Sequence, residues 1–458
     1  MKVIICGAGQ VGFNIARHLA NENNDVTVID RSPELISKIR NSLDVHAIVG
    51  YASHPDLLEQ AGARDADMII AVTLFDEVNM VACQVAHSLF DVPTKIARVR
   101  AQNYLQPTWR ELFSREHLPI DVIISPEIEV ARAAIRRLKV PGAFDMIPFV
   151  GDRVQVVGVR LDEDCPVLDT PLRQLTELFP DLNILVAGIL RADKVIVPGG
   201  DDQLLAGDNI YFVAEKNHVR RALNVFGHEE EEARRIIIVG GGNVGLFIAE
   251  QLLAENPKIQ IKIIELDQER ATFVAERLPK AVVLHGDALD LEIQREANVA
   301  GTETIIAVTN DDKVNILAST LAKQQGCSWA ITLINNQEFG PLTASVGIDA
   351  YVEPRQTTVS GILQHMRKGR IRSLHSLAGG RAEVIEAVAL DTSPLVGKPL
   401  RDIRLPAGIV VGAIVQDDQV VVPRGGTVIR PGDTVVMFTR ADMIRKVEEL
   451  FSVKLEYF

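Results

Sequence analysis

The sequence predicts an α/β chain in which a parallel-sheet domain and a small mixed domain follow each other, twice. Three observations carry this. The opening MKVIICGAGQVGFNIARHL returns as RRIIIVGGGNVGLFIAEQL from Arg234, each an apolar run, then G-x-G-x-x-G, then an amphipathic run. After each glycine loop, strand-length apolar runs alternate with helical patterns, the order that right-handed crossovers impose on a parallel sheet. Finally, VIVPGGDDQLLAGDNIYFVA from Val195 returns as VVVPRGGTVIRPGDTVVMFT from Val420 and closes each half.

The elements follow in order. Val3 to Cys6 reads as a buried strand, Gly7 to Gly12 as the turn, and Phe13 to Leu19 as the start of a helix with Ile15, Ala16 and Leu19 on one face. Val26 to Ile29 is a second strand ending at Asp30, and a helix starts after Ser32 with Pro33 in its first turn. Ala47 to Val49 and Met68 to Val72 are the next strands. In the second half Arg235 to Val239, Ile261 to Ile264 ending at Glu265, Ala281 to Leu284, and Thr304 to Thr309 repeat the series. AVTLFDEVNM and AVTNDDKVNI align position by position, with offsets of 233 from Gly7 to Gly240 and 236 from Thr73 to Thr309. A whole domain is therefore duplicated. Pro126 and Pro354 are expected to end the last strand of each sheet, and the charged stretch Gly227 to Ala233 to link the halves or extend a solvated helix end. The small domains read as short strands around the Gly-Asp turns Gly207-Asp208 and Gly432-Asp433. The expected domains are 1–125 and 234–355 for the parallel sheets, and 140–226 and 372–458 for the small units.

Each glycine has its own task. The first permits the tight strand-to-helix turn, the second lets the backbone approach a pyrophosphate, and the third lets helix and strand pack closely. The helix N-terminus then offers unpaired N–H groups and a positive dipole end to phosphate. Asp30, 18 residues after Gly12, and Glu265, 20 after Gly245, are placed to accept the hydroxyls of an adenosine ribose and to repel a 2′-phosphate. Both units therefore read as Rossmann-like sites for NAD, ADP or ATP, against a fold that keeps its glycines for packing alone. Thr73 and Thr309 end the fourth strands, where a hydroxyl meets phosphate or ribose, or simply closes a turn. Asp76 reads as a helix cap. In IARVR, Arg98 ends a strand on the ligand edge and is placed to reach a phosphate, or to lie solvated. The second half has ITLIN, with no arginine, so the two sites should differ in affinity or ligand.

Composition narrows the function. A net charge of -13 over 458 residues argues against non-specific nucleic-acid binding. Cys6, Cys83, Cys165 and Cys327 form no C-x-x-C pair and read as reduced structural thiols of a cytoplasmic protein. The apolar run at Val3 is too short for a signal-peptide core, and no apolar stretch approaches the ~18 residues that span a bilayer. No His/Cys/Asp group has metal-ligand spacing, no Walker A lysine follows either loop, and no nucleophile elbow appears. His46, His54 and His87 do not converge with a substrate domain, which counts against the competing reading of an NAD-dependent oxidoreductase. What remains is a nucleotide binder that is not an enzyme.

These stretches, MKVIICGAGQVG, VTVID, DADMIIAVT with DEVNMVACQVA, IARVR, IIIVGGGNVG and the two Gly-Asp modules, resemble the tandem form of the RCK family, the regulators of potassium conductance. The resemblance covers essentially the whole chain. It implies RCK N-subdomains that bind NAD(H), and also ATP or ADP, each followed by an RCK C-subdomain. It implies a peripheral regulatory subunit at the inner face of the cell membrane, assembled as a homodimer or homotetramer, whose ring gates a potassium-translocating membrane subunit on nucleotide exchange. Carried onto this sequence, Gly7, Ala8, Gly9, Gln10, Val11, Asp30, Thr73, Leu74 and Arg98 line the first site. Gly240, Gly241, Gly242, Asn243, Val244, Glu265, Thr309 and Asn310 line the second. Tyr51 stands where the second half has Asp287, a departure between the two sites.

Overall fold

The computed structural model describes residues 1–21, 24–179, 182–192, 194–366 and 371–451. Parts of both expected small domains, 180–181, 193 and 452–458, lie outside the described residues. The first sheet is built from β1 (Lys2–Cys6), β2 (Asp25–Asp30), β3 (His46–Val49), β4 (Met68–Ala71), β5 (Thr94–Arg98) and β6 (Val122–Ile124). Between them run α1 (Gln10–Asn21), α2 (Pro33–Ser42), α3 (Pro55–Gln60) and α4 (Asp76–Phe90). The strands pair in parallel in the order β3-β2-β1-β4-β5-β6. A parallel sheet covered on both faces needs near-continuous apolar strands. Val3 and Ile5 pack into one face's core and Ile4 and Cys6 into the other's. All four cysteines are buried and free.

After α5 (Pro126–Leu138) comes an antiparallel sheet of β7 (Ala143–Phe149), β8 (Val154–Arg160), β9 (Ile184–Arg191), β10 (Lys194–Ile196) and β11 (Asn209–Glu215), ordered β10-β9-β11-β8-β7. It carries α6 (Leu172–Leu178) and α7 (Val219–Val225). Gly207 has φ +83°, the left-handed turn that glycine allows without strain. The stretch after α7 holds neither helix nor strand until Arg235, so it is a linker rather than a helix end.

The second parallel sheet repeats the first: β12 (Arg235–Val239), β13 (Gln260–Glu265), β14 (Val282–His285), β15 (Thr304–Ala307), β16 (Trp329–Leu333) and β17 (Ala350–Val352), in the order β14-β13-β12-β15-β16-β17. Its helices are α8 (Asn243–Glu255), α9 (Gln268–Arg277), α10 (Leu291–Glu296), α11 (Asp312–Gln324) and α12 (Gly340–Ser345), followed by α13 (Pro354–Met366). The final sheet is β18 (Ile371–Leu377), β19 (Ala382–Val388), β20 (Ile409–Gln416), β21 (Gln419–Val421) and β22 (Thr434–Arg440), with α14 (Ile444–Phe451). Its order, β18-β19-β22-β20-β21, is that of the first small sheet.

Three features depart from the sequence reading. Helix α1 starts at Gln10, directly on the glycine turn, not at Phe13. Pro126 and Pro354 open α5 and α13 rather than closing strands, because the first helical position needs no N–H and suits proline's fixed φ. Helix α13, assigned by order to the second half, packs along α1 and buries Ile362 and Leu363 in the first sheet's core. Met1–Val130 and Glu353–Met366 therefore form one compact unit, and the rest of the chain a second.

Within that second unit the two small sheets share one core. Phe149, Val156 and Val213 pack with Val384, Val436 and Phe438. A Cβ on Gly188 would lie 2.3 Å from Phe438 Cζ, so the glycine is the space that the phenyl ring fills. Buried Glu386 accepts from Val150 N–H at 2.9 Å. His375 is half-buried, edge-on to Phe149 with centroids 5.1 Å apart, and desolvation, with Arg136 nearby, pushes its pKa down to about 3.

Candidate functional site

The glycine turn leaves β1 between β2 and β4, where the strand order reverses and where open parallel sheets hold ligands. Gly7 has φ +117°, and a Cβ there would lie 3.0 Å from Val72 C and Thr73 N. A Cβ on Gly12 would lie 1.8 Å from Gly7 O. Turn and packing alone thus account for these two glycines. Gly9 is different. Its φ lies outside the left-handed region, and a Cβ on it would meet nothing within 4 Å. The second turn repeats this pattern: Gly240 has φ +101°, a Cβ on Gly245 would lie 2.0 Å from Gly240 O, and one on Gly242 would meet nothing.

The middle glycines therefore border open space at the start of a helix. The first helical hydrogen bonds are Phe13 N–H to Gly9 O (2.8 Å) and Leu246 N–H to Gly242 O (2.9 Å). The N–H groups of the preceding turn have no intrahelical acceptor and belong to a positive dipole end. A cradle that glycine keeps open, floored by such donors, fits a phosphate group.

The acidic residues are held beside it. Asp30 accepts from Ala8 N–H at 2.7 Å and Ser32 N–H at 2.8 Å. Glu265 accepts from Gly241 N–H at 2.6 Å and Asp267 N–H at 2.9 Å. Ser32 and Asp267 in turn cap α2 and α9. A carboxylate has about four lone-pair positions, so each retains capacity for ribose hydroxyls.

The threonines belong to a latch. Asn79 is fully buried; its Oδ1 accepts from Thr73 N–H (2.8 Å) and Thr73 Oγ1 (2.7 Å), and its Nδ2 donates to Arg98 O (2.9 Å). Asn315 does the same with Thr309 N–H (2.9 Å), Thr309 Oγ1 (2.7 Å) and Leu333 O (3.1 Å). Each threonine proton is thus spent within the protein, and each hydroxyl oxygen also accepts a backbone N–H, from Phe75 at 3.3 Å and from Asp311 at 3.2 Å. Asp76 does not cap its own helix. It accepts from Arg100 N–H (2.9 Å) and Ala101 N–H (2.8 Å), tying α4 to the end of β5. Leu74 is 70% exposed, and Asn310, Gln10 and Asn243 are exposed, while Val11 and Val244 are half-buried.

Arg98 ends β5 as expected from its spacing. Its Nε is buried and has no hydrogen-bond partner. Burial, with Arg100 adjacent, lowers its pKa. A desolvated donor without an acceptor is costly and fits an anionic group. The equivalent residue, by the asparagine contact, is Leu333.

Two features were not found from the sequence. Arg31 lies 5.4 Å from the centroid of Phe75. The pair joins the ends of β2 and β4 across the glycine turn. In the second unit Arg270, on α9, donates from Nε to Gly241 O at 2.7 Å and from Nη2 to Asn243 Oδ1 at 3.3 Å. The corresponding residue of α2 is Leu35. A cation in the first turn of the helix after the acidic residue was the available signal for Arg270.

No helix among the described residues is long and apolar enough to cross a membrane. No group of three or more His, Cys, Asp or Glu among them is arranged to hold a metal ion.

Residues 3–126 and 236–354 match the TrkA-N domain family, and 151–227 and 384–452 match the TrkA-C domain family. The chain is 56% identical over 458 residues to the Trk system potassium uptake protein TrkA of Azorhizobium caulinodans, spanning 100% of both chains. It is 39% identical over 455 residues to that of Vibrio alginolyticus, spanning 98% of each. Among solved structures, the GsuK channel bound to NAD shares the fold, with TM-score 0.58 and 16% identity over 98% of this chain and 78% of that one. Two glycine cradles, two small sheets and full-length likeness agree: the chain belongs to the TrkA family, with its TrkA-N and TrkA-C domains in tandem.

Proposed function

We propose that this chain is the nucleotide-sensing regulatory subunit of a Trk-type potassium uptake system. It works at the cytoplasmic face of the membrane, as a homodimer or homotetramer, and gates a potassium-translocating subunit. The observation that carries the nucleotide half is the open cradle over Gly9 and Gly242, which neither packing nor backbone conformation explains. Full-length likeness to proteins named for Trk potassium uptake carries the other half.

The ligands are NAD(H) and ADP or ATP. When bound, the nucleotide supplies charge and shape rather than chemistry. In the first unit, Gly7 to Gly12 and the first turn of α1 take the pyrophosphate, Asp30 accepts ribose hydroxyls, and Arg98 gives its unpartnered Nε to a phosphate. Gly240 to Gly245 and Glu265 do the same in the second. Ligands that share adenosine but differ beyond it compete for one cradle and shift a conformational equilibrium only by their differential affinity for its states.

Isothermal titration with NADH and then ATP tests this, on wild type and Asp30→Ala. Binding that competes at the first site, weakened there at least about tenfold by the substitution, is expected. Unchanged affinities in Asp30→Ala would remove the site assignment. Potassium flux through a co-expressed Trk-type membrane subunit, with and without each nucleotide, tests the gating. Light scattering measures the assembly.

A further inference from the structure

The two cradles are alike in backbone and unlike in the charge around them. At the first, Arg31 follows Asp30 and Arg98 ends β5. Leucines occupy both places in the second, Leu266 and Leu333. There, Asp287 and Asp311 stand where the first has Tyr51 and Phe75. The second edge has one cation of its own, Arg270, but that guanidinium is engaged with Gly241 O and Asn243 Oδ1 and lies 4.9 Å from the ring centroid of Phe273. At these positions the first edge carries two positive charges and no negative one. The second carries two negative charges and one positive.

The backbone donors that would take a pyrophosphate are the same in both, so this difference acts on whatever lies beyond it. In a dinucleotide the two phosphates are diesters, one negative charge each, and a second nucleoside follows. In ADP and ATP the chain ends in a phosphate monoester, which adds charge that must be matched. At the first site Arg98 offers it a buried, unpartnered Nε and a guanidinium able to pair with phosphate oxygens. At the second, Leu333 offers none, and Asp287 and Asp311 oppose it. Arg270 would have to leave Gly241 O to help, so its present contacts hold the loop for a pyrophosphate instead.

Resting on the nucleotide reading above, we propose that the two sites sort ligands by charge. The first accepts nucleoside di- and triphosphates as well as the dinucleotide. The second selects the dinucleotide and turns the triphosphate away.

Titration calorimetry on the full chain, at low salt and without divalent cations that would mask phosphate charge, reads this directly. Wild type should bind two NADH per chain but one ATP, with any second ATP at least about tenfold weaker than the first. Asp30→Ala, which leaves the second site, should keep NADH and lose ATP. Glu265→Ala, which leaves the first, should keep both. Asp287→Asn with Asp311→Asn, where asparagine retains the turn and cap acceptors, should raise ATP affinity at the second site. Two ATP per wild-type chain with affinities within about threefold would overturn the sorting and leave the nucleotide reading intact. No binding of either ligand to wild type would overturn both. The wild-type stoichiometry decides the matter even if a substituted chain fails to fold.

Discussion

The two parallel-sheet units share strand order, glycine cradle, capped carboxylate and asparagine latch, yet differ at almost every side chain over the open edge. Gly7, Gly12 and Asn79 have exact counterparts in Gly240, Gly245 and Asn315 because backbone atoms leave no alternative at those positions. Arg98, Arg31 and Tyr51 stand at the open edge, where their counterparts are Leu333, Leu266 and Asp287. The duplicated backbone supplies a common pyrophosphate cradle. The side chains at its rim are free to make two different sites from it.

The strongest break of this comparison is Gly12→Ala. Its Cβ would stand 1.8 Å from a backbone oxygen that cannot move without undoing the turn. A loss of about 3 kcal/mol or more is expected in denaturant unfolding, and the same from Gly245→Ala. A large effect in one unit and none in the other would mean the cradles are not equivalent.

Next is Asn79→Ala, which strands the N–H of Thr73 and the carbonyl of Arg98. About 2–3 kcal/mol is expected, with the same cost for Asn315→Ala. If either variant kept wild-type stability, the latch would not be a support of that site.

A smaller, conditional effect separates the small sheets, where His375 on β18 occupies the place of Ile147 on β7. The folded pKa of His375 is about 3 against an ordinary 6.5, so between these values the unfolded chain binds more protons. Stability present above pH 6.5 is therefore lost as the pH falls, by up to about 1.4 kcal/mol per pH unit. Thermal unfolding from pH 7 to pH 4 should show a shallower acid slope in His375→Ile than in wild type; equal slopes would rule the histidine out as its source.

The smallest expected change in stability comes from Gly9→Ala, within about 0.5 kcal/mol, because its Cβ meets nothing. The same methyl enters the cradle, so NADH binding at the first site should weaken while the second keeps its affinity. Gly242→Ala should do the reverse. Intact binding in Gly9→Ala would mean that the ligand does not approach this glycine.

Much of this was legible in the chain because its causes are local. A strand of consecutive apolar residues, a glycine spacing set by one turn, and an acidic residue at the next strand's end leave their pattern within about thirty residues. Arg98 was legible as a strand-end cation, but only the fold shows that its Nε is buried without a partner. Arg270 was passed over because the loop it holds lies 29 residues earlier. Asn79 lies in the first turn of α4, and its task is to join two strand ends and a threonine that only the sheet brings together. Pro126 and Pro354 were placed at the right boundary and on its wrong side, since a proline suits a strand's end and a helix's first turn alike.

By itself the sequence determined the duplication, the parallel sheets, the two cradles and the carboxylates beside them, all consequences of backbone geometry that particular residue types must satisfy where they stand. Only the tertiary structure decided that α13 belongs with α1, that the small sheets share a core, and which polar atoms remain without partners. Those depend on which surfaces meet, and an apolar face is written the same way whichever neighbour comes to cover it.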